Sequence, residues 1–555
     1  MEVLDKFTIG IDFGTESARV VLVSTTSGQL MAAHSTPYRH GVLSRELPTG
    51  ESLGFDWALQ HPKDYIDAIR ESIPSVLKES GVAARDVIGI GIDFTSCTIL
   101  PIDEQGTPLC LLEAYRRRPH SWPKLWKHHA ADAQARLATS VAEERGGRFL
   151  DRYGGRISSE WMVPKVLQVL TEDPEIYRVA DKFVEAGDWI TLCLTGRLVR
   201  NAGGAGFKAL WHARDGYPPT GYFRALHPEL EDLVDKKLAG RVVPVGSNVG
   251  GLSEEMASSL GLLPGTPVAS AVIDAFAAVP GLGIAQPGKM VLAMGTSTCH
   301  MLLADREEFV PGMTGVVQNG IIPGYYGYEA GQAAVGDIFG WFAQHGVPPY
   351  VLDSARREGI STFDWLERRA DSLVPGESGL LALDWWNGNR ILADTTLSGV
   401  IIGYTLATKP EEIYRALLES TAFGTRMIIE QFEEKGLEVN TLHVGGGIAQ
   451  KNRLLMQIYA DVTGKRVYVP KMNENVALGS ALFGAVAAGH GAGGYDSVQE
   501  AIEQMISYEQ VVYHPNASTR EVYHSQYKCY ADLHHYFGKQ NKSIMYTLRQ
   551  LRDRD

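Results

Sequence analysis

Phe7-Thr8-Ile9-Gly10-Ile11-Asp12-Phe13-Gly14-Thr15-Glu16-Ser17-Ala18-Arg19-Val20-Val21-Leu22-Val23 reads as an apolar strand, a small polar turn approached by one carboxylate, and a second apolar strand. Gly10 and Gly14 let the backbone come close to a ligand, and Thr15 and Ser17 offer hydroxyls and main-chain N–H groups in a turn tight enough to wrap an anion. Asp12 cannot serve that anion itself, because like charges repel. Its natural partner is a metal ion, or metal-bound water, that carries the phosphate. The stretch therefore predicts a hairpin holding a magnesium–nucleotide complex. One such hairpin alone is better explained by plain turn chemistry, but Lys289-Met290-Val291-Leu292-Ala293-Met294-Gly295-Thr296-Ser297-Thr298-Cys299-His300-Met301-Leu302-Leu303 repeats the pattern. Two facing hairpins can clamp a polyphosphate.

At 555 residues the chain exceeds the usual domain of ~100–200 residues, so two or more domains are expected. A composition of 45% hydrophobic and 21% charged residues is that of an ordinary globular protein. No apolar run reaches the length of about 18 residues that a membrane span needs. Met1-Glu2-Val3-Leu4-Asp5-Lys6 carries acids and runs straight into a strand, so no signal peptide is expected and the cytoplasm is the expected compartment. The formal charge of −13 argues against a nucleic-acid partner, whose affinity would come from neutralised phosphates. Arg116-Arg117-Arg118, beside Pro119, reads as a solvated turn. Five scattered cysteines, Cys97, Cys110, Cys193, Cys299 and Cys529, show no zinc spacing and read as buried free thiols.

Strands and helices alternate from Phe7 to about Leu100, with a helix over 62–80 and a strand over 87–93; this is an α/β pattern. Residues 121–185 read as mostly helical and 186–250 as irregular, being rich in Gly, Pro and Trp. The small apolar run 266–279 followed by Pro280-Gly281 marks the division between residues 1–280 and 281–555. Beyond it, a strand, glycine turn and helix span Thr441–Asn452 with helical periodicity to Thr463, and a strand at 510–513 precedes a polar helical tail. Gly283–Met290 nearly spells a Walker A loop, but it lacks the terminal Ser or Thr and leads into a strand.

Asp274 opens a small-residue helix, a position that an ordinary N-cap explains. Its apolar flanks also suit a partly desolvated base facing a cleft. Gly445-Gly446-Gly447 allows close approach of a flat ligand, or is a flexible turn. Asn452 either hydrogen-bonds a nucleotide or faces solvent, and Arg19 serves phosphate or a neighbouring acid. Trp385 and Trp386 either wall a cleft or fill a core.

Nearly the whole chain resembles the FGGY family of carbohydrate kinases. The resemblance is carried by Asp12–Arg19, Gly91-Ile92-Asp93-Phe94-Thr95-Ser96, Gly206-Phe207-Lys208-Ala209-Leu210-Trp211, Tyr326-Gly327-Tyr328-Glu329-Ala330-Gly331-Gln332 and Leu383-Asp384-Trp385-Trp386-Asn387-Gly388-Asn389-Arg390. The segment from Ser398 to Glu419 and that around Trp161–Lys165 match the family signatures only in part. The resemblance implies two actin-like (ribonuclease H-like) ATPase domains flanking a cleft, with ATP and Mg²⁺ as cofactors. It makes Asp274 the catalytic base, Asp12 and Asp274 the metal ligands, and Ser96, Lys208, Asp274 and Glu329 the sugar contacts. Gly14, Thr15, Ser17, Arg19, Gly295, Thr296, Ser297, Gly445, Gly446, Gly447 and Asn452 would hold the nucleotide. These segments look most like the members that phosphorylate L-ribulose; the oligomeric state stays open, a homodimer being one of the assemblies available. Another polyol or ketose kinase (xylulose, ribitol or glycerol type) and an actin-like nucleotide switch are the alternatives.

Overall fold

The opening hairpin forms where the pattern places it. In the computed structural model, which describes residues 5–392 and 394–552, β1 (Phe7–Phe13) and β2 (Ser17–Ser24) pair antiparallel, and β3 (Leu30–Pro37) completes a meander. The acidic start at Met1–Leu4 lies outside the described residues. Helix α1 (Pro62–Ser80) carries the chain back across the sheet. Pro62 is pre-set for its first turn, and Gly81, at φ 70°, ends it in the left-handed conformation. The returning strand β4 (Val87–Phe94) is buried along its whole length, as a continuous apolar run predicts for a parallel strand covered on both faces. With β5 (Asn248–Gly251), β6 (Pro267–Ala269) and β7 (Val272–Ile273) the first sheet runs β3-β2-β1-β4-β6-β5, with β7 also beside β4.

The second sheet repeats this logic. β8 (Gly288–Met294) and β9 (Thr298–Ala304) form the second hairpin, β10 (Gly315–Gln318) and β11 (Tyr326–Gln332) extend it antiparallel, and β12 (Val439–Gly445) lies parallel to β8. With β13 (Arg466–Pro470) and β14 (Gln510–Tyr513) the order is β10-β11-β9-β8-β12-β13-β14. Both sheets are thus an antiparallel meander continued by parallel strands and closed at the far edge by an antiparallel one.

The principal helices beyond α1 are α2 (Asp132–Glu144), α3 (Ala202–Ala209), α4 (Asp274–Gly281), α5 (Pro410–Glu434), α6 (Arg453–Thr463), α7 (Asn475–Ala488) and α8 (Arg520–His535). The block 186–250 is not irregular, for it holds helices Ala186–Thr195, α3 and Thr220–Leu226. In α3 the Asn201 side chain caps Gly204 N–H at 2.7 Å and all eight residues are buried, so packing overrides the weak propensity of its glycines.

Helix α7 comes from the second half of the chain but packs on β1, β4 and α4. Its small residues let it lie almost on the strands. A Cβ on Gly91 would stand 1.7 Å from Ser480 O, and one on Gly10 would stand 1.9 Å from Ala477 O. Gly10 therefore serves helix docking, a correction to its reading as a ligand-approach glycine. Of the cysteines only Cys97 and Cys110 are fully buried; Cys193 and Cys299 are half-buried and Cys529 is exposed. Helix α8 packs on its own chain: Tyr523, Tyr527 and Tyr530 are buried around Phe423 of α5, and Tyr530 Oη donates to Asp384 Oδ1 at 2.7 Å. No helix among the described residues is long and apolar enough to cross a membrane.

Candidate active site

Three carboxylates gather at the carboxyl ends of adjacent parallel strands, the edge at which open α/β sheets bind ligands. Register does this: Asp12 of β1 stands beside Asp93 of β4, and Ile273 of β7 pairs with Phe94, which brings Asp274, the first residue of α4, to the same edge. Asp93 is missing from the candidate residues read off the sequence. The signal was available, because Gly10-Ile11-Asp12-Phe13 recurs as Gly91-Ile92-Asp93-Phe94.

Burial, and then the charge of Asp12, push the Asp274 carboxyl up to about 7, against the pull of a 2.7 Å hydrogen bond from Ala275 N–H and the charge of Lys208. Asp12 is raised by burial, with its hydrogen bond to Asp93 and the charge of Arg19 working the other way. Asp93 lies well above the usual carboxylate range, through burial and then through Asp12 itself. The Asp93 Oδ2 accepts from Ser480 Oγ of α7 at 2.6 Å. None of the three forms a salt bridge with a described residue. Oxygen ligands concentrated without a basic partner fit a hard divalent cation such as Mg²⁺.

The two turns match in detail. Gly14 N–H donates to Ser17 O at 3.0 Å, and Gly295 N–H donates to Ser297 O at 2.8 Å. The first turn is fixed from outside by Gln60 Nε2 on Thr15 O at 2.7 Å and by Trp126 Nε1 on Thr15 Oγ1 at 3.1 Å. The second is fixed by Val335 N–H on Thr296 O at 2.8 Å. Gly295 and Thr296 are exposed, while Gly14, Thr15 and Ser17 are half-buried. Arg19 is the cross-strand partner of Asp12, and its Nε donates to Ser35 Oγ at 3.1 Å. Rigid turns of this kind present N–H groups and hydroxyls to an anion without reorganisation.

The glycine run ends β12 at Gly445 and opens the short helix Gly447–Lys451. Gly446, at φ 112°, touches the second hairpin so closely that a Cβ would stand 2.1 Å from Met294 O, while the space around Gly447 is open. Asn452 is not inside a helix, nor does it face solvent. It caps α6 by accepting from Leu455 N–H at 2.8 Å, it donates to Tyr414 Oη at 3.2 Å, and it is buried.

The expected sugar contacts converge. Lys208 Nζ of α3 lies 2.7 Å from Glu329 Oε2 of β11, and both side chains are buried. Burial works to lower the Lys208 amine, but Glu329 more than offsets this and holds it protonated. Ser96 Oγ is buried without a hydrogen-bond partner among the described residues, as a hydroxyl awaiting a ligand would be. The cleft also contains residues that sequence reading passed over. Burial and then Glu329 raise the Cys299 thiol to about 11, with Arg390, Lys208 and Asp274 acting on it as well. Glu160 acts on both Lys208 and Arg390. Trp385 is wholly buried in the second core, edge-on to His534, and does not wall the cleft.

Comparison with known proteins gives a consistent answer. Residues 7–281 match the N-terminal domain, and residues 290–488 the C-terminal domain, of the FGGY family of carbohydrate kinases. The chain is 55% identical to a ribulokinase of Halalkalibacterium halodurans over 549 residues, 99% of this chain and 98% of that one. It is 40% identical to a ribulokinase of Staphylococcus aureus, over 98% and 99% of the two chains. Among solved structures, a xylulose kinase from Rhodospirillum rubrum superposes with a TM-score of 0.77 at 20% identity, covering 98% of this chain and 100% of that one. A Plasmodium falciparum glycerol kinase solved with ADP superposes with a TM-score of 0.76 at 16% identity, covering 95% and 98%. At these identities the two structures speak for the fold alone.

Proposed function

The chain belongs to the FGGY family of carbohydrate kinases, which use ATP with Mg²⁺, and from that premise we propose that its sugar is L-ribulose and its product L-ribulose 5-phosphate. The observation that carries the reading is that Asp274 feels the charges of both the Lys208–Glu329 pair and Asp12, and acts in turn on Asp93. In this arrangement Asp274 orients the terminal sugar hydroxyl and accepts its proton late, as a loose phosphoryl-transfer transition state requires. Lys208, Glu329 and Ser96 fix the remaining sugar oxygens, the ammonium and hydroxyl as donors and the carboxylate as acceptor.

The two hairpins hold phosphate oxygens through the N–H groups and hydroxyls of Gly14, Thr15, Ser17, Gly295, Thr296 and Ser297, and Gly447 borders the adenosine. Asp12 and Asp274 would hold Mg²⁺, with Asp93 orienting Asp12. When bound, Mg²⁺ offsets the negative charge of the phosphates. Closure of the cleft excludes water that would otherwise hydrolyse ATP.

Sugar-dependent ADP release by the purified chain tests this across L-ribulose, D-ribulose, both xyluloses, ribitol, L-arabinitol and glycerol. Preference for L-ribulose is expected. Preference for another polyol overturns the sugar assignment, and hydrolysis indifferent to every sugar overturns the kinase itself. A cytoplasmic location, where ATP is available, goes with the same reading. So does a homodimer that covers Ile544, Leu548 and Leu551, apolar residues exposed along the C-terminal helix Lys542–Arg552, which sedimentation analysis checks.

A further inference from the structure

Away from the carboxylates lies a cavity of about 690 Å³, and none of its lining residues belongs to the candidate active site. Its walls come from the segment that follows α2 (Arg145, Arg148, Phe149), from Tyr217 and Tyr222, and from Phe309, which the loop after β9 brings across from the second half of the chain. The volume suits a small molecule. A third arginine on the wall, Arg152, is already committed: it pairs with Asp215 Oδ2 at 2.6 Å and with Glu307 Oε1 at 2.7 Å. Arg145 and Arg148 differ, for both are exposed and neither forms an ion pair among the described residues, although the chain carries a net charge of −13. Against these two cations the wall sets one carboxylate without an ion-pair partner, Asp151. Beside them is an aromatic surface: Phe149 meets Tyr222 edge-on with ring centres 5.1 Å apart, and the Phe309 side chain is 44% exposed.

Free guanidinium groups bordering aromatic rings recognise an anionic oxygen cluster attached to a flat apolar body. We propose that this cavity is a second ligand site, separate from the catalytic cleft, that accepts a small phosphate monoester bearing a flat ring. Arg145 and Arg148 hold the phosphate, and Phe149, Tyr217 and Phe309 hold the ring. The site touches the sugar-binding helix directly through Leu210, which ends α3 and lines the cavity, and Tyr153, next to Arg152, donates from Oη to Gly206 O of α3 at 2.6 Å.

Calorimetric titration of the full chain with phenyl phosphate and with inorganic phosphate, each with and without saturating Mg-ADP, tests the proposal. Saturable binding of phenyl phosphate that persists with Mg-ADP is expected, weakened roughly tenfold or more in R145A/R148A through loss of the charge-assisted hydrogen bonds. Arg136→Ala, which removes an exposed charge of α2 outside the cavity, should leave it unchanged. Phe309→Ala should weaken phenyl phosphate and spare inorganic phosphate. The proposal is overturned if no saturable binding occurs, if Mg-ADP displaces the probe, or if R145A/R148A binds as the unaltered chain does.

Discussion

Replacing Asp274 with Asn keeps the shape of the side chain and removes its charge, so it separates the acid–base role of the residue from its packing. The Asp274 carboxyl titrates near pH 7 in the fold instead of at 3.8. At about 1.4 kcal/mol for each pH unit of that displacement, ionising it costs the ligand-free fold at most about 4 kcal/mol. The sign follows from which state binds the proton more tightly. An acid whose folded value lies above its unfolded one contributes stability that is fully present below about pH 4 and is lost as the pH rises through 7. The ligand-free D274N variant should therefore be the more stable of the two at pH 8, by up to a few kcal/mol, and the advantage should shrink toward pH 4. Urea unfolding at a series of pH values reads this difference directly. In the same protein, sugar-dependent ADP release should fall by ~10²-fold or more, the usual scale for a positioned base. The unaltered enzyme should show an acid limb with a midpoint at or below pH 7, since a bound cation favours the ionised carboxylate. Parallel stability curves, or near-normal turnover in D274N, would refute the desolvated-base argument.

Lys208→Met leaves Glu329 buried without its cation, and we expect a loss of about 3 kcal/mol or more; the double variant K208M/E329Q should recover most of it in thermal unfolding while remaining impaired in sugar KM. Asp93→Ala removes the hydrogen-bond partner of Asp12, so the Mg²⁺ concentration for half-maximal ADP release should rise about tenfold with little change in sugar KM, as for other groups that orient a metal ligand. Gly91→Ala drives a methyl group into the α7 backbone and should cost about 3 kcal/mol or more in unfolding free energy; a variant as stable as the parent would contradict the close docking of α7.

Local chemistry was legible wherever the residues nearest in sequence decide it. The limits of α1 follow from Pro62 and Gly81, and the two hairpins follow from apolar runs around Gly-Thr turns. The strand and helix flanking Gly445–Gly447 follow from the change of period across them. The middle block failed because glycine and tryptophan punctuation says nothing about a helix held wholly by its neighbours, as α3 is.

The site itself is a matter of register and long-range packing, which single segments do not encode. Lys208 and Glu329 are 121 residues apart, and each alone looks like a surface residue; only the docking of α3 on β10, the neighbour of β11, turns them into a buried pair. Asp93 was hidden for the opposite reason: it lies one residue from the end of a strand whose other residues are apolar and buried, and it gains meaning only when parallel pairing sets it beside Asp12. The deepest misreading was of Gly10. A glycine near a phosphate-type turn invites a ligand, but α7 is apolar on every side and carries no amphipathic stripe to announce what it covers. That helix reaches from the second half of the chain to within one hydrogen bond of the carboxylates, through Ser480 and Asp93. Helix α7 packs chiefly on β1, β4 and α4, so it belongs with the first sheet, and Ser480 holds Asp93 beside Asp12 without calling on the second sheet.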